Sequence, residues 1–394
     1  MSVDAPAPDS ITASIDAELF EIQRDIDWLA RVSPLDNNAR WEAFRASDFA
    51  RCPPLTYPEF DLDTDAVSAR LDALAIDDIA QPTFRVLLSE KRTELERLVT
   101  LLESRDTPAF TSASMALFGG SDPGLLADAV EILETVEEEA PTGPEVGSDV
   151  VVAAAVEARD RYRAIVPDFD FRIELVDDAD AIMLVHQGDL VIDSTLRIPH
   201  ARVAPLVAHE VGVHVITRYN GRRQPLRLFE SGFAHYDVLQ EGLATFCEFL
   251  AGCLPPTRLR VLAARVVAAD LAIAHEPIEE IFDVLHRHHG LGAEPAFDVA
   301  VRAKRGGGLT KDAVYLAGLR DLLAWLADGG DIEQVFLGKY SLTERHLVSD
   351  LLEEGLLVPP AILPTCLAEE GSAERLAAAV ATPVTRLYQT EFPS

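Results

Sequence analysis

Two histidines, His209 and His214, stand five residues apart, with Glu210 beside the first and Gly212 between them. On a regular α-helix, at about 100° per residue, positions five apart point roughly 140° away from each other. Positions four apart, as in the His-Glu-x-x-His peptidases, diverge by only about 40°. A helix carrying this run can bring both imidazoles to one face only through a wide π-type turn of roughly 4.4 residues, a feature that often sits at functional sites. Gly212 lacks a Cβ and permits backbone distortion. The spacing therefore predicts a π-bulge, or a widened turn, between Glu210 and His214.

A second element gives the pair a chemistry. Gln240-Glu241-Gly242-Leu243-Ala244 lies on the next predicted helix, with Glu241 27 positions beyond His214. Two neutral imidazoles and one carboxylate, with a fourth position open, form the thermolysin-type zinc set. His209, His214 and Glu241 are thus the expected ligands of one zinc ion. Glu210 is the expected general base, taking a proton from water activated by the ion and passing it to a leaving amine. Thr245 and Glu248 fall four and seven residues after Glu241 on the same helix face. They are candidates for holding the ligand imidazoles by hydrogen bonds, with ordinary helix contacts as the alternative.

Around this pair the chain changes period. Residues 1–12 are rich in Pro, Ala and Asp and are expected to be disordered. From 13 to about 140 the apolar spacing is helical, as in Ile15, Leu19, Ile22, Ile26 and Leu29. Pro141, Gly143, Pro144 and Gly147 mark a boundary within 137–148. A helix over about 150–166 is followed by alternation at Phe169, Phe171, Ile173 and Leu175, which reads as a strand. Apolar runs at 181–185 and 190–192 flank Gln187-Gly188-Asp189 and read as a hairpin. Ile198-Pro199 then leads into the His209 helix, and everything after Ala251 reads as helices. The expected fold is α+β and mostly helical. It has a zincin-like metallopeptidase core over 149–394, a small antiparallel sheet, and an N-terminal helical extension over 13–140. An edge strand of such a sheet can take an extended peptide by main-chain hydrogen bonding.

Net charge is −32, which argues against nucleic acid and against anionic membrane surfaces as partners. No run of 18 apolar residues occurs, so no membrane span is expected. The polar, acidic start lacks the regions of a signal peptide, and the expected compartment is the cytoplasm. Cys52, Cys247, Cys253 and Cys366 show no metal-type spacing; Cys247 and Cys253 read as small buried hydrophobes.

The run from His209 to Gly221, with Gln224-Pro225 and Gln240 to Ala244, resembles the QEGLA-motif family, whose bacterial members are named for modulating flavohaemoglobin expression. That family is similar to the microtubule-associated tyrosine carboxypeptidases. Arg305-Gly306-Gly307, Thr310-Lys311-Asp312, Val314-Tyr315, Leu117-Phe118-Gly119 and Asp122-Pro123 also resemble it, so the likeness runs over roughly 15–365.

The resemblance implies a zinc metallocarboxypeptidase that removes a C-terminal residue, aromatic in the eukaryotic relatives, from a peptide or protein. It supports the same ligands, His209, His214 and Glu241, and the same base, Glu210. Such an enzyme needs a cation for the terminal carboxylate. Arg218, one turn past His214, comes first; Arg222, Arg223, Arg302, Arg305 and Lys311 are alternatives, and each of these reads otherwise as a solvated surface cation. Tyr315 is a candidate donor to the oxyanion, or else a core tyrosine. Asn220 is a candidate substrate contact, or else shapes the turn that ends the motif helix. Two other functions remain open at this stage: a regulatory zinc-binding protein of the same fold, and a hydrolase of non-peptide amides. Of the remaining histidines, His286, His288 and His289 read as a cluster capping a helix end rather than a metal site.

Overall fold

A computed structural model describes residues 5–389 apart from 121, 140–142, 178–180 and 253. Of the segment 1–12 expected to be disordered, residues 1–4 lie outside the described residues, while Ser10 to Thr12 open the first helix, Ser10–Ile26. Asp9 starts it there by accepting hydrogen bonds from the Ile11 and Thr12 amides, which would otherwise be orphaned at the helix start. Cys253 and part of the expected boundary at 137–148 also lie outside the described residues.

The chain is α+β and mostly helical. Helices run from Ser10–Ile26 to Pro123–Thr135, the longest being Pro82–Glu103. Their apolar faces join a hydrophobic cluster that extends from Ile15 to Leu387, so the N-terminal helices share one core with the rest. Specific bonds fasten them to segments near the motif helices. Asp16 accepts from the Arg227 and Leu228 amides at 2.7 and 3.1 Å. Glu94 accepts from the His235 amide at 2.8 Å. The N-terminal layer therefore grips residues 227–235, the stretch that connects the two motif-bearing helices.

Among the described residues five short strands follow in chain order: β1 Glu145–Val146, β2 Ile173–Val176, β3 Met183–His186, β4 Asp189–Asp193 and β5 Ile198–Pro199. β3 and β4 form the expected antiparallel hairpin, with the two-residue turn at Gln187-Gly188 in the left-handed region. β1 and β5 make a second antiparallel pair. β2 joins the other side of β4 in parallel, giving the order β2-β4-β3. The strand expected from Phe169 begins only at Ile173, because Phe169 and Phe171 turn into an aromatic cluster with Tyr162 and Tyr219. β3, an edge of the sheet, packs against residues 210–215.

Beyond residue 254 the described chain is helical, and its helix Val314–Ala327 crosses Tyr236–Leu250 at a glycine pair. A β-carbon on Gly242 would run into the backbone of Gly318, and one on Gly318 into the Val238 carbonyl. The two helices therefore pack backbone against backbone at this crossing. No helix among the described residues is long and apolar enough to cross a membrane.

Candidate metal centre

The motif helix spans 203–221 in three parts: α-helix Val203–His209, π-helix Glu210–Val215, and α-helix Ile216–Gly221. The Ile216 amide donates to the Val211 carbonyl, five residues back, which is the widened turn that the histidine spacing predicts. At roughly 4.4 residues per turn, five residues overshoot one turn by only about 50°. The two imidazole centroids accordingly lie 5.2 Å apart, at 74° to each other. Gly212 has open space: a β-carbon there would make only ordinary contacts, 3.7 Å to Pro364 and 3.9 Å to Ala208.

The facing helix, Tyr236–Leu250, brings Glu241 between the rings. Its Oε2 lies 3.6 Å from His209 Nε2 and 3.8 Å from His214 Nε2. The ligand atoms of the three residues all fall within 4.8 Å of one another, the single such cluster among the described residues. Glu241 Oε2 is shielded from solvent and has no hydrogen-bond partner among the described residues. A buried carboxylate oxygen left unmatched between two imidazole nitrogens is an acceptor that a cation would satisfy. Two His and one Glu are the N/O donor set that suits zinc.

Glu248, one turn-pair further along the same helix, is 1% exposed. Its Oε1 accepts from His209 Nδ1 at 2.9 Å. A carboxylate can only accept, so Nδ1 carries the hydrogen. Burial lowers the His209 pKa, but the carboxylates of Glu241 and Glu248 outweigh it and raise it to about 9, so Nε2 offers a lone pair toward Glu241 where a cation takes the place of its proton. Arg258 and Arg202 hold the same carboxylate at 2.8 and 3.0 Å. Burial opposes ionisation of Glu248, but these guanidinium groups and His209 outweigh it and keep its pKa well below the usual range. Burial drives His214 down to about 3, so this imidazole is neutral, as a metal ligand must be.

Glu210 is 6% exposed, and its Oε1 stands 3.9 Å from His209 Nε2. Burial raises its pKa to about 7, against the pull of His209 and with help from Glu241 and Glu248. Lys311 reaches the centre from the other side. Its Nζ is 2.9 Å from Asp237 and 3.9 Å from the second oxygen of Glu241. Tyr315, half-buried on the crossing helix, has its pKa pushed up to about 12 by burial and then by Glu241. Arg265 stacks 4.5 Å from its ring centroid. The fold thus gathers His209, Glu210, His214, Glu241, Glu248, Lys311 and Tyr315 into one charged centre.

Six other sequence candidates go elsewhere. Thr245 donates to the Glu241 carbonyl, the usual i−4 bond of a helical threonine. Asn220 is fully buried and spent on backbone: its amide donates to the Phe336 and Ile362 carbonyls and accepts from the Ala361 and Ile362 amides. It is a tertiary strut whose side-chain amide is committed to backbone groups. Arg218 pairs with Glu230 at 2.7 Å and lies against Gly188 of the hairpin turn. Arg222 shares the same Glu230, and Arg302 donates to both oxygens of Asp312 through Nε and Nη2. Arg305 is 3% exposed, its charge acting on Asp312 rather than on the histidines. The cluster His286, His288, His289 forms no metal group among the described residues; His286 Nδ1 donates to the Leu291 carbonyl past the helix end.

Arg202, Arg258 and Lys339 also act on the centre, without a signature in the sequence. The first two are legible only once Glu248 is known to be buried. Lys339 arrives 98 residues after Glu241 within no recognisable pattern. It is half-buried, and its Nζ lies 5.9 Å from the Tyr236 ring centroid. Burial and the neighbouring Arg218 lower its pKa to about 8.

Among curated proteins no match is found. A family model described as microtubule-associated tyrosine carboxypeptidase matches residues 42–382, most of the chain, and the chain belongs to that family.

Proposed function

From that membership we propose that the protein is a zinc carboxypeptidase, hydrolysing the C-terminal peptide bond of a peptide or protein and releasing an aromatic residue, tyrosine by the family's name. The observation that carries this reading is the unmatched Glu241 Oε2 set between two imidazoles, with the buried Glu210 carboxylate beside them. A structural zinc site has no use for a second, uncoordinated carboxylate; a hydrolytic one requires it.

His209, His214 and Glu241 would hold the ion. When bound, zinc supplies Lewis acidity toward a carbonyl oxygen and makes water acidic enough to attack at neutral pH. Every other part of the reaction falls to the chain's own groups. Glu248 keeps His209 in the tautomer that presents Nε2. Glu210 takes the proton from the attacking water and delivers it to the leaving amine, work suited to a carboxylate whose burial favours its protonated form more than usual. The Tyr315 hydroxyl stays protonated at working pH and donates to the oxyanion that develops at the scissile carbonyl. Lys311 neutralises Glu241 and Asp237, so the centre does not accumulate negative charge.

Metal analysis of the purified protein, with release of C-terminal residues from a peptide library, tests this reading. One equivalent of zinc and preferential release of aromatic residues are expected. Glu210→Gln should retain the metal and lose about 100- to 10,000-fold in rate. Undiminished release by that variant would refute the assigned base, and protein purified without zinc would undermine the ligand set.

A further inference from the structure

The geometry points to Lys339 as the residue that binds the C-terminal carboxylate of the substrate, an inference that rests on the carboxypeptidase reading above. A peptidase restricted to chain ends must recognise an anion that internal peptide bonds lack. The cations near the centre are mostly committed. Arg218 is held by Glu230, Lys311 by Asp237, Arg302 by Asp312, and Arg202 and Arg258 by Glu248. Arg265 lies face-on to the Tyr315 ring, with Nε and Nη1 shielded from solvent.

Lys339 differs from all of these. Among the described residues no carboxylate oxygen lies within 4.0 Å of its Nζ, which also makes no hydrogen bond. Its charge nonetheless acts on His214, and it is attracted by Asp237 and Glu241, so it stands at the edge of the centre. Its backbone is fixed on both sides: its amide donates to the Phe229 carbonyl at 2.8 Å, and its carbonyl accepts from the Phe233 amide at 3.0 Å. A lysine on an immobilised backbone, half-buried and lacking a counter-ion, carries an unmet demand for an anion. An incoming carboxylate meets that demand, and the hydrogen bond so formed is charge-assisted on both sides. Tyr236 flanks the ammonium at 5.9 Å and opens the helix that carries Glu241, so a carboxylate at Lys339 is tied to the same element as the proposed ligand.

The test uses zinc-loaded full-length protein carrying Glu210→Gln to prevent turnover. The probes are N-acetyl-Gly-Tyr as the free acid and as the C-terminal amide. Calorimetry should show the acid binding about 10- to 100-fold more tightly than the amide. Adding Lys339→Met should bring that ratio close to one while leaving amide affinity unchanged. Adding Lys339→Arg should keep most of it. An acid preference that survives Lys339→Met would overturn the assignment, as would a parallel loss for acid and amide, which marks structural damage, or no acid preference in the parent. Release by the wild-type protein separates the two readings. A Lys339-dependent acid preference without any release would sink the peptidase reading and leave the anion site standing. Release with a preference indifferent to Lys339 would do the reverse.

Discussion

Residues 210–215 and 284–288 both wind as π-helix, and both carry histidines. The first turn sets His209 and His214 5.2 Å apart over a buried glutamate. The second does nothing of the kind. It closes a helix that stops at His289, His288 is left 68% exposed, and His286 is used up on the Leu291 carbonyl. A wide turn supplies an angle between side chains and nothing else. The first becomes a centre because helix continues on both sides of it, and because a second helix brings a carboxylate to face it and another to orient one ring.

The sharpest way to break this comparison is to remove one histidine from each turn. His214→Ala should abolish zinc binding by elemental analysis, whereas His288→Ala should leave metal content unchanged; loss of zinc in the latter would place the centre wrongly. The next effect is on folding. The helix after the first turn is anchored by Asn220, and the second turn has no such continuation. Asn220→Ala strands two buried carbonyls and two buried amides, costing on the order of 3 kcal/mol or more, and the melting temperature should fall accordingly.

A smaller effect separates the surroundings of the two turns, since only the first has Lys339 at its side. Arg218 on the motif helix repels that ammonium, while Asp237, Glu241 and Glu230 attract it, and burial brings it to about 8. The cation is present below that pH and lost above it, so KM for free-acid substrates should climb between pH 7 and 9 and stay flat in Lys339→Met. The smallest effect is expected at Gly212. A methyl group fits there, and Gly212→Ala should change stability by less than about 1 kcal/mol and leave zinc content intact. A large loss would show that the turn depends on glycine after all.

What could be read in the chain beforehand follows the range of the interactions. The histidine spacing is local, so the widened turn was legible, although its cause is not the glycine inside it. Glu241 and Glu248 share one helix face, so their convergence was legible too. Thr245 shares that face, but a threonine hydroxyl within a helix finds the carbonyl four residues back before anything more distant. Arg218 looked available at one turn past His214, and only the fold places Glu230 against it. Asn220 finds its partners 116 and 142 residues away, and nothing near it in the chain foretells them. The parallel pairing of β2 with β4 is hidden for the same reason: a period of two defines a strand and is silent on its direction.

Where Gly242 meets Gly318, main chain lies on main chain with no side chain between. Side chains exchange rotamers and blur the distances they span; a backbone contact lacks that freedom. Glu241 precedes one of these glycines directly, and Tyr315 precedes the other by three residues. The carboxylate and the phenol are therefore hung from a single fulcrum. Opening these two helices must pivot there, so their far ends swing through wide arcs while the two reactive groups barely part. The spacing between them is the dimension of the centre least able to drift.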